Sequence, residues 1–151
     1  MAVYKFKMQG ILDIKDKMEI QAKQNFANAN LKLLKEEEIL AEINKRIEEY
    51  LEEGKRLRNG PIDTVELDKN KIALEVLKEE RIKQEREVSL ARNNVEVFRK
   101  KMMDARTETR TFEKLKEKDF NEFLSEEGKK ESKEIDELNS FRFAEKSRKG
   151  D

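Results

Sequence analysis

Asn59-Gly60-Pro61-Ile62-Asp63 is the one short break in a chain otherwise written in heptads, and its chemistry decides the fold. Just before it, Lys55, Arg56 and Arg58 put positive charge where it meets the negative end of a helix dipole, and Gly60-Pro61 supplies a stop. Just after it, Asp63 reads as an N-cap with Glu66 three residues on, a capping box, and Ile62 and Leu67 occupy the two positions of a hydrophobic staple. These signals predict a helix over about 9–58, a turn at 59–62 and a second helix over about 63–124. So short a loop forces the helices to run antiparallel, with residues near 47 facing those near 77 and residues near 18 facing those near 105.

Outward from the turn, both arms carry an apolar stripe of matching period. Steps of three and four from Leu67 land on Asn70, Leu74, Leu77, Arg81, Gln84, Val88, Ala91, Val95, Phe98, Met102, Ala105, Thr109, Phe112, Lys116, Asp119 and Phe123. The same steps on the first arm give Leu33, Glu36, Leu40, Ile43, Ile47, Tyr50, Gly54 and Leu57. This is the seam of a two-stranded coiled coil whose partner helix is in the same chain. The expected fold is therefore all-α, a long antiparallel two-helix hairpin of one domain over residues 1–151, with arms on the order of 70–90 Å. Polar seam positions such as Arg81, Gln84, Thr109, Lys116 and Asp119 are expected to contribute little to stability or to lower it.

Two stretches depart from the pattern. From Ile11 the apolar steps run to Ile14, Met18, Ala22, Phe26, Ala29 and Leu33, so that consecutive fours between Met18 and Phe26 predict a stutter that locally unwinds the supercoil. Beyond Phe123 the seam dissolves at Ser125-Glu126-Glu127-Gly128, and 125–147 is a short amphipathic segment, with Ile135, Leu138, Phe141 and Phe143, that continues the second helix or detaches from it.

Composition narrows the function. Charged residues are 45% of the chain and apolar ones 36%, which suits a narrow seam with charged outer faces rather than a wide core. With no Cys and no His there is no disulfide framework, no thiol chemistry and no metal site built on those ligands, and the carboxylates lack the loop spacing of a calcium site. No Gly-rich phosphate loop or nucleophile–base pair is present, so neither cofactor nor catalytic residue is expected and the chain is not read as an enzyme. No run of 18 apolar residues suggests a membrane span, and Met1-Ala2-Val3-Tyr4-Lys5 lacks the apolar core of a secretory signal, which predicts a cytoplasmic protein.

The 34 acids balance the 34 bases, but not locally. Residues 36–53 hold eight acids and two bases, whereas residues 99–118 hold eight bases and four acids, and 4–23 add five bases against three acids. The open end is thus net basic and the shaft near the turn net acidic, which fits two partners of different charge. Nucleic acid is not expected, because acids interleave with the bases and no aromatic stacking platform is evident.

The opening Tyr4-Lys5-Phe6-Lys7-Met8-Gln9-Gly10-Ile11-Leu12-Asp13-Ile14-Lys15, the hairpin with its Gly-containing turn, the run Ala105-Arg106 through Phe112-Glu113-Lys114-Leu115-Lys116-Glu117-Lys118, and Glu134-Ile135-Asp136-Glu137-Leu138 together resemble the flagellar export protein FliJ family over nearly the whole chain. The resemblance implies a coiled coil similar to the central stalk of rotary ATPases, a soluble part of the flagellar type III export apparatus. Its open end would enter the export ATPase ring and promote hexamerisation and ATP hydrolysis. Near the turn it would engage the cytoplasmic domain of the export gate membrane protein, and it would also handle export chaperones. It would thus be cytoplasmic, held peripherally at the inner membrane of the flagellar base through its partners. Carried over by position, the ATPase-facing residues are Lys5, Phe6, Lys7, Ile11, Leu12 and Lys15 with Ile135 and Leu138, and the gate-facing residues are Ile43, Tyr50 and Leu77. Ala73, Glu80 and Gln84 depart from the bulkier or less charged groups the resemblance calls for near the gate surface. Two other readings stay open: the equivalent stalk of a virulence type III secretion system, and a purely structural coiled coil.

Overall fold

In the structure, a computed structural model that describes residues 2–150, two helices account for nearly everything: α1, Gln9–Arg58, and α2, Thr64–Lys149. No strand occurs among the described residues. The fold is a helical hairpin coiled coil. Its antiparallel sense is written in cross-helix bonds that pair early α1 with late α2 and late α1 with early α2, such as Thr109 with Lys15 and Asn70 with Tyr50.

The turn works by part of the expected chemistry. Asp63 caps α2 by accepting a hydrogen bond from the Val65 amide at 3.0 Å, and its carbonyl takes the first helical bond, from Leu67 N at 3.1 Å. The return half of the capping box is replaced: the Glu66 carboxylate instead pairs with Lys69 at 3.5 Å, one turn on. Ile62 is largely exposed, so the hydrophobic staple is open. Gly60 does not adopt the left-handed conformation, as no glycine has a positive φ. Helix α1 instead closes with a tightened bond from Asn59 N to Arg56 O, 3.2 Å, and Pro61, which biases its predecessor away from the helical region, prevents continuation.

The chain divides into two compact units, one of Ile20–Asp104 and the other of the segments up to Glu19 and from Ala105 onward. In the first, the seam follows the expected heptads: every position from Leu33 to Leu57 on α1 and from Leu67 to Met102 on α2 is buried or half-buried, with Ile47, Leu77, Val88 and Ala91 deepest. The core is thin because a two-helix seam has no third layer to cover the flanking positions. Gly54 belongs to it for a steric reason, since a Cβ there would lie 3.0 Å from the Asn70 side-chain oxygen.

In the second unit α2 keeps its register through Ala105, Thr109, Phe112, Lys116 and Phe123, while Asp119 turns outward to the surface. On α1 the expected stutter is absent. Leu12, Lys15 and Glu19 face the seam and continue into Ala22, Phe26, Ala29 and Leu33 of the same helix in unbroken steps of three and four, leaving Ile11, Ile14 and Met18 exposed beside it. Polar groups can hold seam positions here because they find partners. Lys15 pairs with Glu108 at 2.9 Å, Lys116 donates to Gln9 Oε1 at 2.7 Å, and no side-chain polar atom among the described residues is buried without a hydrogen bond. From Gly128 to Gly150 every residue of the chain is exposed: α2 continues through the segment where the seam dissolves, with no second helix against it.

Candidate partner-binding surfaces

A helical hairpin of this kind leaves for other molecules only what its seam does not use. On α1 of the unit that contains the N-terminal segment, Ile11, Ile14 and Met18 recur at helical spacing on one flank, and Ile14 is 58% exposed. The stripe, from Ile11 to Met18, is bordered by Lys17, which is exposed, and by Lys15, which is half-buried in its pair with Glu108. On α2 of the same unit, Ile135, Leu138 and Phe141 form a second apolar stripe, each more than half exposed, with nothing packed on it.

Ahead of α1, residues 2–6 form a non-helical strap. Tyr4 pins it to α2. The ring sits edge-on to Phe120, centroids 5.0 Å apart, and tilted against Phe123 at 5.4 Å, while the hydroxyl donates to Asp119 at 3.0 Å and lies 3.3 Å from the Lys116 carbonyl. One proton serves both acceptors, and the carboxylate is the nearer. Partial removal from water, followed by the hydrogen bond and the charge of Asp119, raises the phenol pKa above its ordinary value of 10.0. Because the folded pKa lies above the unfolded one, the clasp's contribution is complete below pH 10 and is lost as pH climbs through the raised value. With only two tyrosines in the chain, Tyr50→Phe leaves Tyr4 as the sole reporter. Its absorbance titration should have a midpoint above that of the urea-unfolded chain, and Asp119→Asn should bring the midpoint down.

The sequence-derived site residues divide. Lys5, Lys7, Ile11, Ile135 and Leu138 are exposed and belong to one unit; Phe6 and Lys15 are half-buried in it. Leu12, at 5% exposure, is seam core and has no surface to give a partner while the hairpin is closed. Near the turn, Ile43 and Tyr50 are half-buried seam residues, and Leu77, again 5% exposed, is core. Leu77 is therefore withdrawn as a contact residue: its side chain is spent on α1.

The seam count does not include a further apolar stripe on α2, in the unit of Ile20–Asp104 and facing away from the seam. Val65, Ile72, Val76, Leu90 and Val97 are all exposed, Ile72 by 60%, and fall at steps of seven, four, fourteen and seven. The signal is in the sequence: alternate steps of four and three from Val65 land on each of them. Of the three departures from the expected contact pattern, Ala73 and Gln84 are half-buried on the seam side and Glu80 is exposed, and Ile72 and Val76 stand one residue before Ala73 and Leu77. Near the turn the acids Glu66, Asp68, Glu75, Glu79 and Glu80 of the same helix alternate with Lys69, Lys71 and Lys78, and Lys69 pairs with Glu66.

Among the described residues no helix is long and apolar enough to cross a membrane, and no cluster of acidic groups is placed to hold a metal ion. A family model described as flagellar FliJ protein matches residues 4–148. No curated protein and no solved structure matches the chain.

Proposed function

The chain belongs to the FliJ family of flagellar proteins, which places it in flagellar protein export, and from that premise we propose that it works as a non-catalytic stalk between the export ATPase and the membrane export gate. The unit with the Tyr4 strap inserts into the ATPase ring, favouring the hexamer and raising ATP turnover. The stripe of Ile72 and Val76 near the turn meets the cytoplasmic domain of the gate. Export chaperones are further partners, and attachment to the inner membrane is peripheral, through the gate.

The observation that carries this reading is the unused apolar flank of Ile11, Ile14 and Met18 beside Lys5, Lys7 and Lys17. Exposed aliphatic groups at helical spacing next to cations suit a ring lumen that offers apolar collars with an acidic rim. A virulence-type stalk would share this flank, but the flagellar family match favours the flagellar system.

The test adds purified chain to the cognate export ATPase. ATP hydrolysis and the hexamer fraction should both rise, and Ile11→Asp/Ile14→Asp should remove the effect while leaving the helical circular dichroism unchanged, since neither side chain is in the core. Stimulation undiminished by that double substitution would place the ATPase contact elsewhere.

A further inference from the structure

Three polar side chains stand at seam positions of α2 where aliphatic groups would pack, and each reaches a main-chain carbonyl of α1. Asn70 Nδ2 donates to Tyr50 O at 2.8 Å, Gln84 Nε2 donates to Glu36 O at 2.9 Å and also to the Glu36 carboxylate, and Thr109 Oγ1 lies 3.1 Å from Lys15 O. These carbonyls lie within α1, where one lone pair already serves the helix, so each bond takes the second. Asn70 has in addition a notch cut for it. Gly54 is the one glycine of α1's buried face, and a methyl group there would stand 3.0 Å from Asn70 Oδ1.

We propose that these three bonds are a register lock, which makes α2 pair with α1 at one height and disfavours both sliding and the pairing of α2 with another α2, in exchange for some stability. A seam of aliphatic residues is nearly indifferent to a slide of one heptad, about 10 Å, because apolar positions again meet apolar positions. A buried amide is not indifferent. Moved by a heptad, or set against a parallel α2, Asn70 loses the glycine notch through which it reaches Tyr50 O, and Gln84 loses the Glu36 carboxylate beside its main-chain acceptor, whereas Thr109 falls back on Ala105 O of its own helix; a desolvated amide without acceptors penalises those states. Asn70 and Gln84 act in one compact unit, and Thr109, whose one proton is shared between Lys15 O and Ala105 O, adds a weaker preference in the other. The exposed second stripe on α2 makes such a device useful, since it gives two copies of α2 a ready apolar face for mispairing.

The experiment uses the full chain, whose lack of cysteine allows spin labels at Lys17→Cys and Arg106→Cys, both exposed. The parent should show one narrow inter-label distance and a monomer mass by light scattering. Asn70→Leu/Gln84→Leu/Thr109→Val should melt at the same or a higher temperature and yet show added distances, a higher mass, or both. One unchanged narrow distance with a monomer mass, whatever the melting temperature, would overturn the lock. Should the triple variant fail to fold, the notch gives a second reading: Gly54→Ala should lower the melting midpoint, and Gly54→Ala/Asn70→Ala should recover part of the loss. A double variant no more stable than Gly54→Ala alone would overturn the coupling on which the proposal depends.

Discussion

Ile72→Asp/Val76→Asp is expected to weaken binding to the export gate's cytoplasmic domain more than tenfold, at least about 1.4 kcal/mol, without moving the melting temperature of the hairpin. Both side chains are exposed, on the face of α2 turned away from α1, so their removal takes nothing from the seam; substitutions at such surface positions change stability by roughly 0.5 kcal/mol or less. A charge placed in the middle of an apolar contact is different, because docking would have to strip its water with no partner waiting. Isothermal titration with the gate domain, beside thermal melts of the same samples, separates the two effects. The control is the seam pair Ile43→Ala/Tyr50→Ala, which should lower the melting temperature and leave gate affinity unchanged for the folded fraction. Gate binding that survives the Asp pair and fails with the seam pair would return the contact to Ile43 and Tyr50.

That contrast also marks how far the sequence could be read. The turn, the helix limits near it and the seam from Leu33 to Leu57 against Leu67 to Met102 are legible because one apolar stripe of heptad period lies on each arm and a proline separates them. The reading slips where burial and apolarity part company. At the start of α1 the apolar residues Ile11, Ile14 and Met18 lie beside the seam, and Lys15 and Glu19 lie in it; counting only apolar steps turned that into a stutter that the packing does not have. Lys15 can sit there because Glu108 is 2.9 Å away, a fact about the opposite helix that no local window contains. Thr109, only 2% exposed, is the same case in reverse: counted as a weak seam residue, it is anchored by main-chain oxygens of both helices. Exposed apolar positions outside the seam are hidden for a related reason. Once a stripe is assigned to the core, a second stripe on the same helix is visible only to a second count, and Leu77, one position after the exposed Val76, falls on the buried side.

Leu77→Ala carries the largest expected cost to stability, about 2–5 kcal/mol, against a change close to zero for Val76→Ala one residue earlier. The two substitutions remove aliphatic groups from adjacent positions of one helix, so proximity to the turn is shared, and helix propensity differs only by the roughly 0.5 kcal/mol that Ala gains over β-branched Val. What differs is burial: Leu77 is 5% exposed and Val76 49%. Truncating Leu77 removes apolar contact and leaves a gap in a core only two helices thick, where no third element can move in to fill it. A fold of ordinary marginal stability would lose a large part of its margin to that one side chain. Urea denaturation followed by circular dichroism at constant slope should show the midpoint of Leu77→Ala far below the parent and that of Val76→Ala beside it. Equal shifts for both would mean that Leu77 does not close the seam, and with that result the assignment of the Ile72–Val76 side as the free face of α2 would fall as well.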